Sequence, residues 1–365
     1  MPSSPPTATS ASESKPDDSI PVVPAADPSR TLYVDTCGAI VRKRRGRIVV
    51  EKPDGEDRET VLTLPAVDVE RVVLVGRASC TSAAQRFFLE RGIDTIFLSW
   101  NGRLEGHLQA ACSPRPALRR AQYRAAEAPE VQLRLARSFV QAKLTNQRTL
   151  LRRYARRRSA PALAEDADTV DALLNRTSRC SDLQALRGVE GQATRRYYET
   201  WPALLQRDDP AFEFPKRTRR PPEDAVNALI SFTGALALSD VRAACVASGL
   251  DPGHGFLHEP RRGCPGCALD LLEAFRPAVV HSVVLSMVNR GAINASDVEA
   301  RDGGVYLTES GRKAVYDAYE DRRQTTVTPP GLGTEVAYHR AFEAQARLLA
   351  RTLTSGADYV PFTVR

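Results

Sequence analysis

The chain has 365 residues, of which 42% are hydrophobic and 26% charged, and it carries a formal net charge of +7. At about 100 to 200 residues per domain this implies about two domains with a core large enough to do without disulfides, and it excludes stapled miniproteins, collagen-like chains and wholly disordered chains. The longest apolar stretch, Ala278 to Val288, is broken by His281, Ser282 and Ser286 and falls short of the ~20 residues of a spanning helix, so no transmembrane segment is expected.

Residues 1–30 hold seven Pro, seven Ser, four acids and two bases, a composition that buries little apolar surface and predicts a disordered tail. The tail lacks the basic start and apolar block of a secretory signal, so a cytoplasmic location with mostly reduced cysteines is expected. Removing its net −2 leaves +9 on the remaining chain, with basic clusters at Arg42–Arg45, Arg152–Arg158, Lys216–Arg220 and Arg261–Arg262. Clustered guanidinium forks suit phosphate oxygens and point to an anionic partner; the bland alternative is a solvated basic face.

From Thr31 the pattern is strand-like, in short runs rich in Val, Ile, Leu and Thr: Thr31–Val34, Ala39–Arg42, Arg47–Glu51, Val61–Leu64, Val69–Val75 and Thr95–Leu98. One helix interrupts them, capped at Ser82 and stopped by Gly92. Pro114 and Pro116 punctuate a connecting stretch, and a long helix follows from Pro129 to Arg158 with an apolar stripe at Val131, Leu135, Phe139, Ala142 and Leu150. Further helices are predicted at Ser181–Trp201, Pro222–Ser248, Cys267–Arg290, Glu309–Arg323 and Thr334–Leu353. The expected class is therefore α+β, with a tail at 1–30, a small β-rich N-terminal domain at 31–108, a linker at 109–128 and a larger all-α domain at 129–365.

Asp270 and Glu273 are three apart on a predicted helix, so both carboxylates project from one face among Leu269, Leu271, Leu272 and Phe275. A structural salt bridge to an arginine such as Arg276 and a functional acidic pair both fit that setting. His254 and His258 lie in a Gly- and Pro-broken stretch just before that helix; two carboxylates with an imidazole suit Mg²⁺ or Mn²⁺. His107, His281 and His339 have no comparable setting. Glu190 is flanked by Gly188 and Gly191, whose cost in a helix implies that a ligand or another backbone approaches closely. Cys264 and Cys267 form a single C-x-x-C without a matching second pair, which favours reduced thiols over zinc.

The order of several short fragments resembles the CRISPR-associated spacer-acquisition integrase family, from about Thr31 to Arg365. The fragments are Leu32-Tyr-Val, Gly76 with Thr81-Ser82, Phe97-Leu-Ser-Trp-Asn-Gly-Arg, Lys143 with Asn146-Gln147, and Gly188-Val-Glu-Gly followed by Tyr197-Tyr198. They continue with Arg219-Arg-Pro-Pro, Asn227-Ala-Leu, Gly255-Phe-Leu-His, Leu269-Asp-Leu-Leu-Glu with Phe275-Arg-Pro, Val288-Asn-Arg-Gly and Gly304-Val-Tyr-Leu. Two departures stand out: residues 1–30 have no counterpart in a minimal member, and Thr233-Gly234 replaces an expected glycine–aromatic pair.

The resemblance implies a metal-dependent DNA endonuclease and integrase that inserts spacer DNA into CRISPR arrays. It implies Glu190, His258 and Glu273 as metal ligands for Mg²⁺ or Mn²⁺, and Asp270 as a ligand or an orienting group behind them; His254 falls outside the match. Lys143, Arg219, Arg220, Arg261, Arg262 and Arg276 are the candidate DNA contacts. The partners implied are double-stranded and branched DNA, a second copy of the chain held through the N-terminal domain, and a small ferredoxin-like CRISPR-associated adaptation subunit. A non-catalytic architectural DNA-binding protein would share the basic surface, and an unrelated metal-dependent phosphodiester hydrolase would share the acids and histidine.

Overall fold

The computed structural model describes residues 31–55, 57–110 and 115–364. The tail expected at 1–30 lies outside these residues. Eight strands form the strand-rich N-terminal region: β1 (Thr31–Val34), β2 (Ile40–Arg44), β3 (Arg47–Asp54), β4 (Asp57–Pro65), β5 (Arg71–Val75), β6 (Ser79–Cys80), β7 (Asp94–Leu98) and β8 (Leu104–Leu108). They make two four-stranded sheets, ordered β1-β5-β7-β8 and β4-β3-β2-β6. In the first sheet β1, β5 and β7 are parallel and β8 is antiparallel. Val41, Ile48, Val72, Leu74 and Phe88 fill the small core of this region. Helix α1 (Ser82–Arg91) is capped one residue earlier than expected, by Thr81 Oγ1 accepting from the Ala84 amide at 3.3 Å. Gly92 ends it at φ +67°, where a residue with a Cβ would be strained.

Within the stretch expected as a linker, Pro116–Glu127 form helix α2. Arginines and alanines crowd this segment and blur its apolar stripe; its buried side chains are Leu118 and the polar Gln122, which donates to the Asp251 and His254 carbonyls at 2.9 and 2.8 Å. Helix α3 (Pro129–Arg158) runs through the helical portion and packs on α4 (Pro161–Arg176), α5 (Leu183–Glu199) and α8 (Gly266–Phe275). Short α6 (Trp201–Leu204) and long α7 (Ala225–Ala247) complete this layer. The helix expected at Cys267–Arg290 is α8 and α9 (Ser282–Asn289) joined by a widened turn at Arg276–His281. Pro277 lacks an amide donor and its ring clashes with the preceding turn, which accounts for the widening.

The remaining elements are β9 (Val298–Arg301), β10 (Gly304–Leu307), α10 (Glu309–Gln324), β11 (Thr326–Val327), β12 (Val336–Ala337) and α11 (Tyr338–Ser355). Two small antiparallel ribbons, β9–β10 and β11–β12, thus interrupt a domain expected to be all helix. Helix α7 and the α8–α9 segment are long and apolar enough to cross a membrane, but 67% and 89% of their apolar windows are buried inside the fold, which makes them core helices. The chain-end segment returns to the core through Phe362, which stacks on Phe275 at 4.3 Å. Asn146 of α3 ties that segment down, donating to the carbonyls of Ala274 and Phe362 and accepting from the Val364 amide.

Candidate active site

A cleft of ≈ 970 Å³ opens between the strand-rich region and the helical portion, and its walls gather Lys143, Glu190, His258, Glu273, Arg276, Arg219 and Arg220. Glu190 stands on α5, whose start is fixed by Asp182 accepting from the Ala185 amide at 2.8 Å. Its Oε1 accepts from Thr194 one turn on, at 2.9 Å, and from the ammonium of Lys143. The same ammonium lies 2.7 Å from Glu273 Oε2, while Arg276 Nε donates to Glu273 Oε1 at 2.9 Å. Burial pushes the Glu273 carboxyl up, but Lys143, Arg276 and His258 together hold it well below the ordinary carboxylate range. Lys143 is buried too, which favours its neutral form, yet the charges of Glu273 and Glu190 outweigh this and keep it above its ordinary value.

Asp270 has a different part from Glu273. It is fully buried, and its oxygens are taken up by four donors from the loop before α8. Oδ2 accepts from the amides of Phe256 and Leu257 at 2.5 and 3.0 Å, and Oδ1 from the His258 amide at 3.0 Å and its Nδ1 at 2.6 Å. The loop wraps this closely because Gly255 and Gly266 carry no side chain: a Cβ on Gly255 would come 2.6 Å from Gly266 and 2.8 Å from Asp270 Oδ2. Asp270 thereby fixes the orientation of the His258 ring and leaves Nε2 for another partner. Burial lowers the affinity of His258 for a proton, but the hydrogen bond and charge of Asp270, with Glu273 behind it, raise it above the ordinary imidazole value.

Among the described residues no three His, Cys, Asp or Glu side chains are grouped tightly enough to hold a metal by themselves. The donor set nevertheless fits a hard divalent cation: Glu190 and Glu273 already converge on one positive centre, the Lys143 ammonium, and a ring-anchored histidine opens onto the same cleft.

The other residues singled out from sequence divide. Arg219 and Arg220 are exposed on the cleft wall and form no ion pair among the described residues, whereas Lys216 faces Glu223 at 3.7 Å. Lys143 and Arg276 line the cleft but are committed inward to the acids. Arg261 and Arg262 are exposed on a turn away from the cleft lining, with Arg261 3.7 Å from Glu259. His254 also lies outside the lining and packs edge-on to Tyr123, their ring centres 4.8 Å apart. The close approach expected at Gly188 and Gly191 is not made by this chain: a Cβ on either would meet nothing within 4 Å, so the helix beside Glu190 presents bare, exposed backbone. Cys267 is buried against Cys245, and its thiol is pushed up by their hydrogen bond and by burial, while Cys264 of the C-x-x-C stands apart at the surface turn.

Several cleft residues had no site role in the sequence reading. His281 is buried between two phenols, its Nδ1 3.0 Å from Tyr197 and its Nε2 3.2 Å from Tyr198. Burial and the nearby Arg276 and Arg217 hold it well below the ordinary imidazole value, so it is neutral. Arg217 is held by Asn227 Oδ1 at 2.7 Å and by Ser231 Oγ at 3.2 Å. Asn227 also bonds the Thr218 amide, the Lys216 carbonyl and Asp224, and so pins the loop that carries the exposed arginines. The Tyr197-Tyr198 and Asn227-Ala-Leu fragments carried a signal for both, though not a role.

A strand-rich N-terminal region followed by a mostly helical portion is also the fold of a solved Cas1 protein from Thermotoga maritima, which superposes with a TM-score of 0.76 at 24% identity over 92% of this chain and 99% of its own. A solved casposase, described as bound to an integration product, superposes with a TM-score of 0.79 at 21% identity over 91% of this chain and 93% of its own. The Cas6-RT-Cas1–Cas2 complex superposes with a TM-score of 0.74 at 22% identity, over 93% of this chain and 36% of the other. The chain belongs to the family of CRISPR associated protein Cas1, whose family model matches residues 32–321. It is 39% identical over 332 residues to a CRISPR-associated endonuclease Cas1 of Thermus thermophilus, covering 91% of this chain and 98% of that protein. It is 37% identical over 346 residues to a Cas4 exonuclease/Cas1 endonuclease fusion of Geobacter sulfurreducens, covering 93% of this chain and 61% of the fusion.

Proposed function

We propose that this chain is the integrase of CRISPR adaptation, a metal-dependent DNA endonuclease and transesterase that inserts spacer DNA into CRISPR arrays. The observation that carries the reading is the meeting of Glu190, His258 and Glu273 with the unpaired arginines Arg219 and Arg220 in one interdomain cleft. Family membership and the endonuclease names of the relatives support it.

Glu190, His258 and Glu273 would hold Mg²⁺ or Mn²⁺, which when bound supplies Lewis acidity at the phosphoryl group and lowers the pKa of the attacking hydroxyl or water. Asp270 sets the ring orientation of His258. Lys143 and Arg276 balance the acids, so that two carboxylates stay ionised and close together in a buried setting. Arg217, Arg219 and Arg220 line the wall where a DNA backbone lies, contacting phosphates without reading sequence. A spacer 3′-hydroxyl attacks a repeat phosphodiester in line, the new P–O bond forming as the old one breaks and the displaced 3′-oxygen leaving. The bare α5 surface at Gly188 and Gly191 gives a DNA strand room beside Glu190.

The working assembly is a homodimer with a small ferredoxin-like adaptation subunit, acting on double-stranded and branched DNA in the cytoplasm. The edge strand β4, with Val61 and Leu62 45% and 37% exposed, supports a second copy pairing at the N-terminal domain. Integration of a labelled spacer duplex into a repeat-containing plasmid with Mn²⁺ tests the reading. Strand joining that is lost in Glu190→Ala supports it, cutting without joining supports a simple hydrolase, and DNA binding without either reaction refutes catalysis.

A further inference from the structure

The Lys143 ammonium sits between two of the carboxylates proposed above to hold a metal, and one turn along the same helix a buried amide meets no partner among the described residues. The two contacts of the ammonium are unequal. Glu190 Oε1 accepts a directed hydrogen bond from it. Glu273 Oε2 meets it as an ion pair at 2.7 Å and accepts no hydrogen bond of ordinary geometry among the described residues. The grip on Glu273 is therefore one of charge, which another cation can supply.

Gln147 follows Lys143 by four residues on α3, so the two side chains share a face, and both line the cleft. Gln147 is fully buried, yet neither its Nε2 nor its Oε1 has a hydrogen-bond partner among the described residues. Burial on α3 does not by itself prevent pairing: the adjacent Asn146 uses both ends of its amide on backbone groups of α8 and the chain-end segment. A buried carboxamide left unpaired destabilises the fold, and an apolar side chain of similar length would fill the same space without that cost. An acceptor held open beside a flexible lysine is what a moving ammonium needs.

We infer that Lys143 is the resident counter-ion of the metal-free site, and that it exchanges with the metal by passing from Glu190 and Glu273 to the carboxamide oxygen of Gln147. The exchange rests on the metal-site reading above and adds a device to it. An ammonium and a divalent ion are like charges that need the same two carboxylates, and in a buried setting they cannot share them. Without metal, the chain's own cation keeps the two acids compensated; with metal, the ammonium must leave, and its stem of four methylenes allows that where the bonded Arg276 fork would not. Lys143 and Gln147 are positioning residues here, and the ammonium keeps its proton throughout.

The test is Mn²⁺ binding by the full chain without DNA, followed by titration calorimetry and by the free-ion Mn²⁺ resonance, beside melting curves of the metal-free protein. Lys143→Met removes the competing charge and should raise Mn²⁺ affinity about tenfold, lower the metal-free melting temperature, and recover it when Mn²⁺ saturates the site. Gln147→Met should lower Mn²⁺ affinity about tenfold while the metal-free melting temperature holds or rises. In Lys143→Met/Gln147→Met the effect of the Gln147 change should vanish, because no ammonium is left to receive. Affinity unchanged or lowered in Lys143→Met would overturn the exchange and make Lys143 a support for the ligands. A Gln147→Met effect of equal size with and without Lys143 would overturn the role of Gln147. Should Lys143→Met fail to fold, Gln147→Met decides alone, unchanged Mn²⁺ affinity refuting the exchange. An unmodified chain that takes up no Mn²⁺ would instead remove the metal-site reading, and the exchange with it.

Discussion

The contrast between two buried charged centres among the described residues shows what makes one of them a candidate site. Where the strand-rich region meets the helices, Asp240 of α7 accepts from Arg71 of β5 at one oxygen and from Tyr319 at 2.7 Å at the other, which also forms an ion pair with Arg323 at 2.8 Å; Tyr319 and Arg323 are both on α10. Burial pushes its carboxyl up, but Arg323 and Arg71 win and hold it below the ordinary value. That carboxylate borders a smaller cavity of ≈ 350 Å³, but only 6% of its side-chain surface is open. In the cleft the acids are also neutralised by cations, yet Glu190 and His258 keep 23% and 35% of their side-chain surface open. Burying charge demands partners in both places; the second leaves far more donor surface open, and on a cavity nearly three times as large, ≈ 970 Å³ against ≈ 350 Å³.

The sharpest way to break the comparison is to remove a cleft donor. Glu190→Ala or His258→Ala should lower Mn²⁺-dependent joining and cleavage by about a thousandfold or more, several kcal/mol of transition-state stabilisation, while the melting temperature moves little. His254→Ala should leave both activity and melting nearly unchanged, since its ring rests on Tyr123 outside the cleft. Removing the acid of the other centre should do the reverse. Asp240→Ala leaves two arginines buried without their shared anion and should cost about 3–5 kcal/mol in denaturant unfolding, with near-normal activity per folded molecule.

Asp270→Asn comes next. It keeps the shape but weakens the hold on His258, and about a 10- to 100-fold loss of Mn²⁺ affinity or activity is expected, read as a raised Mn²⁺ half-activation concentration. The same variant sharpens a pH argument. Because the folded His258 binds its proton more tightly than the unfolded one, it stabilises the metal-free protein fully below the unfolded pKa, and that contribution fades as pH rises through the folded pKa. Metal binding needs the neutral ring, so the Mn²⁺ requirement should rise on acidification at a higher pH than an ordinary histidine would give, and Asp270→Asn should move that onset to lower pH. The smallest effect falls on the open wall: Arg219→Ala/Arg220→Ala should flatten the salt dependence of duplex affinity by about 0.9 log units per lost phosphate contact, with metal binding and melting retained. An unchanged slope with lowered melting would return these arginines to the fold.

Much of this was legible in the residues. Short Val- and Ile-rich runs gave β1 to β5 and β7 because strand periodicity is local, and the long helices followed from apolar stripes and caps such as Gly92. Helices α2 and α4 were missed because their arginines and alanines, or their acids, dilute the stripe that tertiary packing alone makes decisive. The ribbon β11–β12 has two residues per strand, too few for any alternation to register, and β9, Val-Glu-Ala-Arg with only Val298 turned inward, carries too little apolar sequence to read as a strand.

For the site, the order of fragments determined the family and put Glu190, His258, Asp270 and Glu273 forward together. What the sequence could not determine is which charge answers which. Only the packing of α3 against α5 and α8 decided that Lys143 bridges two acids 47 and 130 positions away instead of reaching outward. Only the wrapped loop decided that Asp270 is consumed by backbone amides. Local patterns fix which face of a helix or strand is apolar, because neighbours along the chain share one geometry. The partner of a buried charge is chosen by desolvation across long stretches of chain, and that choice exists only once the chain has folded.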